Sequence, residues 1–220
     1  MKDMNLWGQL IYYFAHNGMY VLSQFNQTFL VSIYGVLFGA IVGIPIGIWT
    51  SQHRRLSPVV IGFANVIQTV PSLAMLSILM LGLGLGQNTV IATVFLYSLL
   101  PIIKNTYTGM LSVDRDVLDA GKGMGMTRLQ IMTTIRIPLS LSVIIAGIRN
   151  ALVLGIGITV IGSFIGSGGL GDIIVRGTNA TDGGAIILAG ALPTALMAII
   201  TDVVLSFIEK KLTPKTSSEA

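Results

Sequence analysis

The sequence predicts an all-α integral membrane protein: five transmembrane helices, an interfacial helix ahead of them, and one polar segment folded outside the bilayer. Three observations carry this. Hydrophobic residues make up 53% of the 220 and charged residues only 10%, with a mean hydropathy of +0.82, far from soluble averages. The apolar residues fall into five runs near the roughly 20 residues that a helix needs to cross hydrocarbon. Lys and Arg are distributed so unevenly between the connecting segments that they specify an orientation. The net charge of +4 would suit nucleic acid only on a basic soluble face, which is absent. With no cysteine, disulfides, thiol catalysis and cysteine-ligated metal are excluded.

Residues 1–27 read as the interfacial helix. Trp7, Leu10, Ile11, Phe14, Val21, Leu22 and Phe25 recur at helical spacing, and Tyr12, Tyr13 and Tyr20 suit a headgroup layer. Gln9, His16, Asn17 and Gln24 interrupt the apolar core that a signal peptide requires. Residues 28–212 form the transmembrane domain and 213–220 a tail. The first span, 29–49, carries Gly35, Gly39, Gly43 and Gly47 at every fourth position, a stripe on which another helix can approach closely, with Pro45 as an expected kink. The second, 59–85, is longer than an upright helix requires, so tilt or a break is expected. Its centre holds Asn65, Gln68 and Thr69 ahead of Pro71, and such polar groups need partners or an aqueous path. The third span, 89–103, has Pro101 near its end and Lys104 placed to snorkel.

The longest polar interruption is 114–138. Asp114 and Asp116 begin a helix and Lys122 ends it, an order that complements the helix dipole. Gly123, Met124 and Gly125 break the pattern. Thr127 and Gln130 then form a T-x-x-Q capping box, predicting a second short helix from Arg128 that stops before Pro138. The fourth span, 139–164, includes Arg149, on the order of 16 Å along the helix from Pro138 and near mid-membrane. Two readings of Arg149 stand open: a gate or pathway element, or a structural bond to Asn65, Gln68 or a backbone carbonyl. The fifth span, 185–208, carries Pro193 and Asp202, the latter nearer the interface.

Five spans put the termini on opposite sides. With the N-terminus outside, ten of the 13 Lys and Arg, including Arg54, Arg55, Lys122, Arg128 and Arg136, fall in the cytoplasm. Lys2 and Arg176 fall outside and Arg149 within a span. Residues 166–172 satisfy G-x-G-x-x-G but lack the βαβ setting of a dinucleotide site. They read either as a flexible outer loop or, through Gly168, Gly169, Asp172, Arg176, Asn179 and Asp182, as the outer mouth of a path. Neither a catalytic constellation nor a metal cluster emerges, and Gly121-Lys122 is no phosphate loop, lacking the upstream glycine spacing and a following Ser or Thr.

The 114–138 segment resembles the EAA loop of ATP-binding cassette import permeases, E-A-A-x3-G-x9-I-x-L-P. Asp119, Ala120 and Gly121 stand for the first three positions, Gly125 for the glycine, and Ile135, Ile137 and Pro138 for the end; Met126 is counted with them as ATPase-coupling. Residues 32–45, 65–71, 97–109 and 166–176 look like the Opu-type permeases for glycine betaine, carnitine and choline. That resemblance implies the type I importer permease architecture, with 114–138 as a cytoplasmic coupling segment in a bacterial plasma membrane. It implies two permease chains, as homodimer or heterodimer, two ATPases that bind the ATP, and an extracellular binding protein; this chain would carry no cofactor and no enzymatic activity. Asn65, Gln68, Thr69, Pro71 and Arg149 are the expected translocation path. Aromatic residues are only 7% and scattered, so selection of a quaternary ammonium is expected mostly in the binding protein. The rivals are the same machine for methionine or another amino acid, an ion-driven secondary carrier, for which no inverted repeat is visible, and a non-transporting scaffold.

Overall fold

The computed structural model describes residues 5–181 and 183–213, so Lys2, Asp182, Lys215 and nearly all of the expected tail lie outside the described residues. Among those described, four helices are long and apolar enough to cross a membrane, and a pair bent by 94° is apolar enough only when its two halves are taken together. The long helices are α1 (Leu6–Gln52), α4 (Gln87–Leu111), α7 (Ile137–Ile161) and α9 (Gly184–Leu212), and the bent pair is α2 (Ser57–Thr69) with α3 (Ser72–Leu83). Between α4 and α7 lie α5 (Arg115–Gly123) and α6 (Arg128–Gln130), and between α7 and α9 lies α8 (Leu170–Thr178).

The glycine stripe determines how the centre packs. A Cβ at Gly35 would stand 2.5 Å from Val94, at Gly39 1.8 Å from Ser98 Oγ, at Gly43 3.0 Å from Ile102 and at Gly47 2.6 Å from Thr106. Residues four apart on α1 therefore seat residues four apart on α4, and the backbones close until hydrogens take the place of side chains. From the other side α7 does the same with Gly147, whose Cβ would lie 2.9 Å from the Pro101 carbonyl. Flanked in this way, α4 buries Val90, Val94, Ile102, Ile103 and Met110.

Two expectations about boundaries are corrected. The break falls inside 1–27 and not at its end: α1 kinks at Asn17, where φ/ψ leave the helical region, and residues 18–52 then run on as helix. The reason is that Gln24, Gln27 and Thr28 bond to the 167–170 turn, while Leu10 and Val21 are buried with Leu170, Ile173 and Ala185, so the N-terminal turns belong to the bundle. Trp7, Ile11, Met19 and Leu22 remain exposed on its other face. Pro45 leaves the helix unbroken. Nor does the second polar helix stop before Pro138. Residues Ile131–Arg136 widen into a π turn, in which the Ile137 N–H donates to the Met132 carbonyl, and the chain runs straight into α7. Proline lacks an N–H and crowds the carbonyl four residues back; a wider turn accommodates both facts.

The expected break in the second span is sharp. α2 and α3 meet at 94° across Val70 and Pro71. Tyr97 of α4 holds the corner: its hydroxyl donates to the Val70 carbonyl freed by the break, and its own carbonyl accepts from Gln68 Nε2 at 3.2 Å. Tyr97→Phe would leave that carbonyl unsatisfied, at a cost of about 1–3 kcal/mol. The purified variant should lose thermal stability, and hydrogen exchange should rise around 68–73 with little change at the far end of α4.

Candidate functional site

Local chemistry builds the 114–138 corner. The Asp114 side chain caps α5 by accepting from the Asp116 N–H, and Lys122 sits in the last turn. The helix ends in a Schellman arrangement: the Met126 N–H donates to the Gly121 carbonyl at 3.1 Å and the Gly125 N–H to Lys122 at 2.9 Å, which holds Gly125 at φ +80. Thr127 and Gln130 then exchange side-chain and backbone hydrogen bonds as a capping box, the feature expected from their spacing.

Beneath the corner, Val113, Leu118 and Ile131 are buried, with Met126, Ile135 and Leu139 packed on them. Gly121 must be small, because a Cβ there would come within 2.8 Å of Ile135. Above it, Val117, Met124 and Leu129 are exposed, Met124 by 76% and Leu129 by 73%. Ala120, Gly125 and Pro138 are exposed too. Of the expected coupling residues, then, Gly121, Met126 and Ile135 hold the corner together, while Asp119, Ala120 and Gly125 are on its surface. Asp119 receives a 2.7 Å hydrogen bond from Lys122 Nζ. That bond, and then the ammonium charge, holds the Asp119 carboxyl below its ordinary value. The sign follows: the ion pair is complete above the usual carboxylate range and is lost only as pH falls through the lowered pKa, so it does not titrate near neutrality.

The expected path residues do not form one cluster. Gln68, Thr69 and Pro71 sit at the 94° bend, with Thr69 bonded back to the Val66 carbonyl and Asn65 exposed one turn earlier. Arg149 takes partners of a different kind. Nη1 donates to Asp202 at 2.9 Å and Nε lies 3.3 Å from Glu209 Oε2, so carboxylates of α9, not Asn65 or Gln68, neutralise it. Spaced seven apart, Asp202 and Glu209 lie on one face of α9, but only tertiary structure shows that this face meets Arg149. Arg149→Ala would strand two carboxylates. Since Asp202 is half exposed, a loss of about 1–3 kcal/mol is expected, smaller than for a fully buried pair. The melting temperature should fall and recover in part when Asp202→Asn and Glu209→Gln are added.

At the opposite end, the 166–172 turn is stapled to α1 instead of being a free loop. Gly166, Gly168 and Gly169 all have positive φ. A Cβ at Gly168 would meet Gln27 at 2.7 Å, and one at Gly169 would meet Thr28 at 2.6 Å. The Gly169 N–H donates to Gln24 Oε1 at 2.6 Å, the Leu170 N–H to Thr28 Oγ1 at 2.8 Å, and Gln27 Nε2 to the Ser167 carbonyl at 2.7 Å. Asp172 accepts from Tyr20 Oη at 2.9 Å and Arg176 Nε at 2.8 Å, and the guanidinium lies 5.4 Å from the Tyr20 ring centre. Gln24, Gln27, Thr28 and Tyr20 were missed as site residues; polar side chains one helical turn apart ahead of a span were the available signal.

A bundle of four long apolar helices and one sharply bent pair, with a capped polar corner ahead of α7, matches a known design. The model of the binding-protein-dependent transport system inner membrane component family matches residues 13–214. The chain belongs to that family. The permease is 60% identical over 211 residues to the glycine betaine/carnitine/choline transport system permease protein OpuCD of Bacillus subtilis, covering 96% of this chain and 92% of that one. It is 60% identical to the carnitine transport permease protein OpuCD of Listeria monocytogenes, covering 94% and 92%, and 58% identical to the choline transport system permease protein OpuBD of Bacillus subtilis, covering 96% and 93%. Among solved structures, an inward-facing methionine ABC transporter matches with a TM-score of 0.78 at 17% identity, over 88% of this chain and 96% of that one. An amino acid ABC transporter crystallised with histidines matches at 0.73 and 20%, over 95% and 99%. The permease thus has the type I importer fold in a multi-pass plasma-membrane protein.

Proposed function

We propose that this permease is the membrane subunit of an ATP-driven importer for quaternary ammonium osmoprotectants such as glycine betaine, carnitine and choline. The observation that carries the proposal is the 58–60% identity, over nearly the whole chain, to permeases named for those solutes. The N-terminus lies outside and the C-terminus in the cytoplasm, which sets 114–138 against the cleft of a separate ATPase. A second permease chain, identical or related, completes the path, and an extracellular binding protein delivers the solute to the end formed by 166–176.

The continuity found at Pro138 supports a lever. Because α6, the π turn and α7 form one helix, a displacement of the exposed face of Met124 and Leu129 passes into the fourth span without a joint. The Arg149 pairs then carry it to α9, and the assembly rocks between inward-open and outward-open states. ATP stays on the partner subunit. The test is uptake of radiolabelled betaine, carnitine and choline in a bacterial strain stripped of its own osmoprotectant importers, with this chain expressed beside its ATPase and binding protein. Saturable uptake of at least one of the three, abolished by a hydrolysis-dead ATPase, is expected. Uptake of methionine instead, or osmolyte uptake that survives the dead ATPase, would overturn the reading.

A further inference from the structure

The turn between α1 and α2 and the underside of the 114–138 corner enclose a cavity of about 950 Å³. Its wall carries Arg54, Arg55, Lys122, Arg128 and Arg136 and no carboxylate. Lys122 is paired with Asp119; among the described residues no carboxylate lies within 4.0 Å of any of the four arginines. Arg136 Nε is buried without an acceptor. Four guanidiniums line one cavity with no carboxylate in its wall, the Asp119 carboxylate of the adjoining space being taken by Lys122, so the site favours an anion rich in oxygen acceptors, and the guanidinium fork suits phosphate.

The rest of the wall selects which phosphate. Leu56, Ile131 and Met132 line the same space, and Leu56 is 43% exposed. The cavity lies at the level of the membrane boundary, because Arg54 and Arg55 stand two and three residues beyond the end of α1 and Arg136 immediately precedes α7. Trp49, exposed one turn before Arg54, marks the same level. Cationic walls with an apolar side at headgroup depth fit a molecule that has a phosphate at one end and hydrocarbon at the other. We propose that this cavity binds the headgroup of an anionic phospholipid, with Arg54 and Arg136 on the phosphate and Leu56, Ile131 and Met132 against the first carbons of the chains. The face of Met124 and Leu129 does not line the cavity and stays free for a protein partner.

The full chain, purified in mild detergent, would be studied by native mass spectrometry with added phosphatidylglycerol, phosphatidylcholine or inorganic phosphate. One phosphatidylglycerol should be retained, preferred over phosphatidylcholine by at least about tenfold, since a net negative headgroup gains on the order of 1 kcal/mol per nearby cation. Arg54→Gln and Arg136→Gln should each weaken it roughly fivefold on the same basis, with Lys210→Gln on α9 as an unaffected control. The proposal is overturned if the two lipids bind equally, if inorganic phosphate at millimolar concentration displaces the lipid, or if the arginine variants bind as well as the parent. The comparison of lipids on the parent chain decides the matter even should a variant fail to fold.

Discussion

Gly125→Arg is expected to cut ATP-driven uptake by about a hundredfold or more while the chain still inserts in the membrane at normal abundance. The two halves of this expectation have separate physical origins. A Cβ at Gly125 would meet nothing within 4 Å, so the new side chain does not collide with the bundle. The backbone stands at φ +80, where a non-glycine residue costs about 1–2 kcal/mol, too little to unfold a membrane bundle. What the arginine does is project a bulky charge from the exposed corner, where a fitted partner surface would lose at least about 2 kcal/mol at such a central position. Gly125→Ala separates the causes, since it carries the strain without the bulk and should lower uptake roughly tenfold at most. Transport assays with immunoblots of the membrane fraction read both outcomes. Normal uptake by Gly125→Arg would mean that no partner fits against the corner.

Gly47→Leu should fail in the opposite manner, with little folded protein and therefore no uptake. A Cβ at Gly47 would lie 2.6 Å from Thr106 Cβ, 2.8 Å from Thr106 Cγ2 and 3.0 Å from the Ile103 carbonyl. Backbone on one side and a β-branched residue on the other leave no rotamer that relieves the overlap, so α1 and α4 must separate and the packing along the stripe is lost with them. Overpacking of this kind costs about 1–3 kcal/mol where neighbours can move, and more here. Gly39→Ala is the graded comparison: its worst contact is the Ser98 hydroxyl, and Ser98→Gly should restore part of the loss. Detergent-solubilised yield and melting temperature would rank Gly47→Leu below Gly39→Ala, with the double variant between Gly39→Ala and the parent. Equal stability of all four would show that the stripe does not set the approach of the two helices.

The contrast between these sites explains what could be read from the chain alone. Features made by residues within four positions of one another were legible: the helix start at Asp114 and Asp116, the Thr127 and Gln130 box, the glycine every fourth residue, the break at Pro71. Each is a local energy minimum that tertiary packing leaves in place. Pro138 shows the limit of that logic, because its local rule predicts a stop, yet the π turn from Ile131 to Arg136 satisfies the same constraint without one. Partners distant in sequence stayed hidden. Arg149 was expected to need a partner, but Asp202 is 53 residues away and nothing in either stretch names the other. Gln24 looked like an interruption in an apolar helix, and Gln27 and Thr28 drew no reading at all, because the carbonyl and N–H groups they satisfy lie 140 or more residues further on.

The central claim is that the 114–138 corner faces the cytoplasm, where a separate ATPase can drive it. The chain has no cysteine, so a single Leu129→Cys places one thiol on the corner's exposed face without competing sites. Labelling with a membrane-impermeant maleimide, in intact cells and in inside-out vesicles, tests the claim most directly. The account predicts labelling in inside-out vesicles alone, diminished when the ATPase is bound; rapid labelling in intact cells would put the corner outside and contradict it.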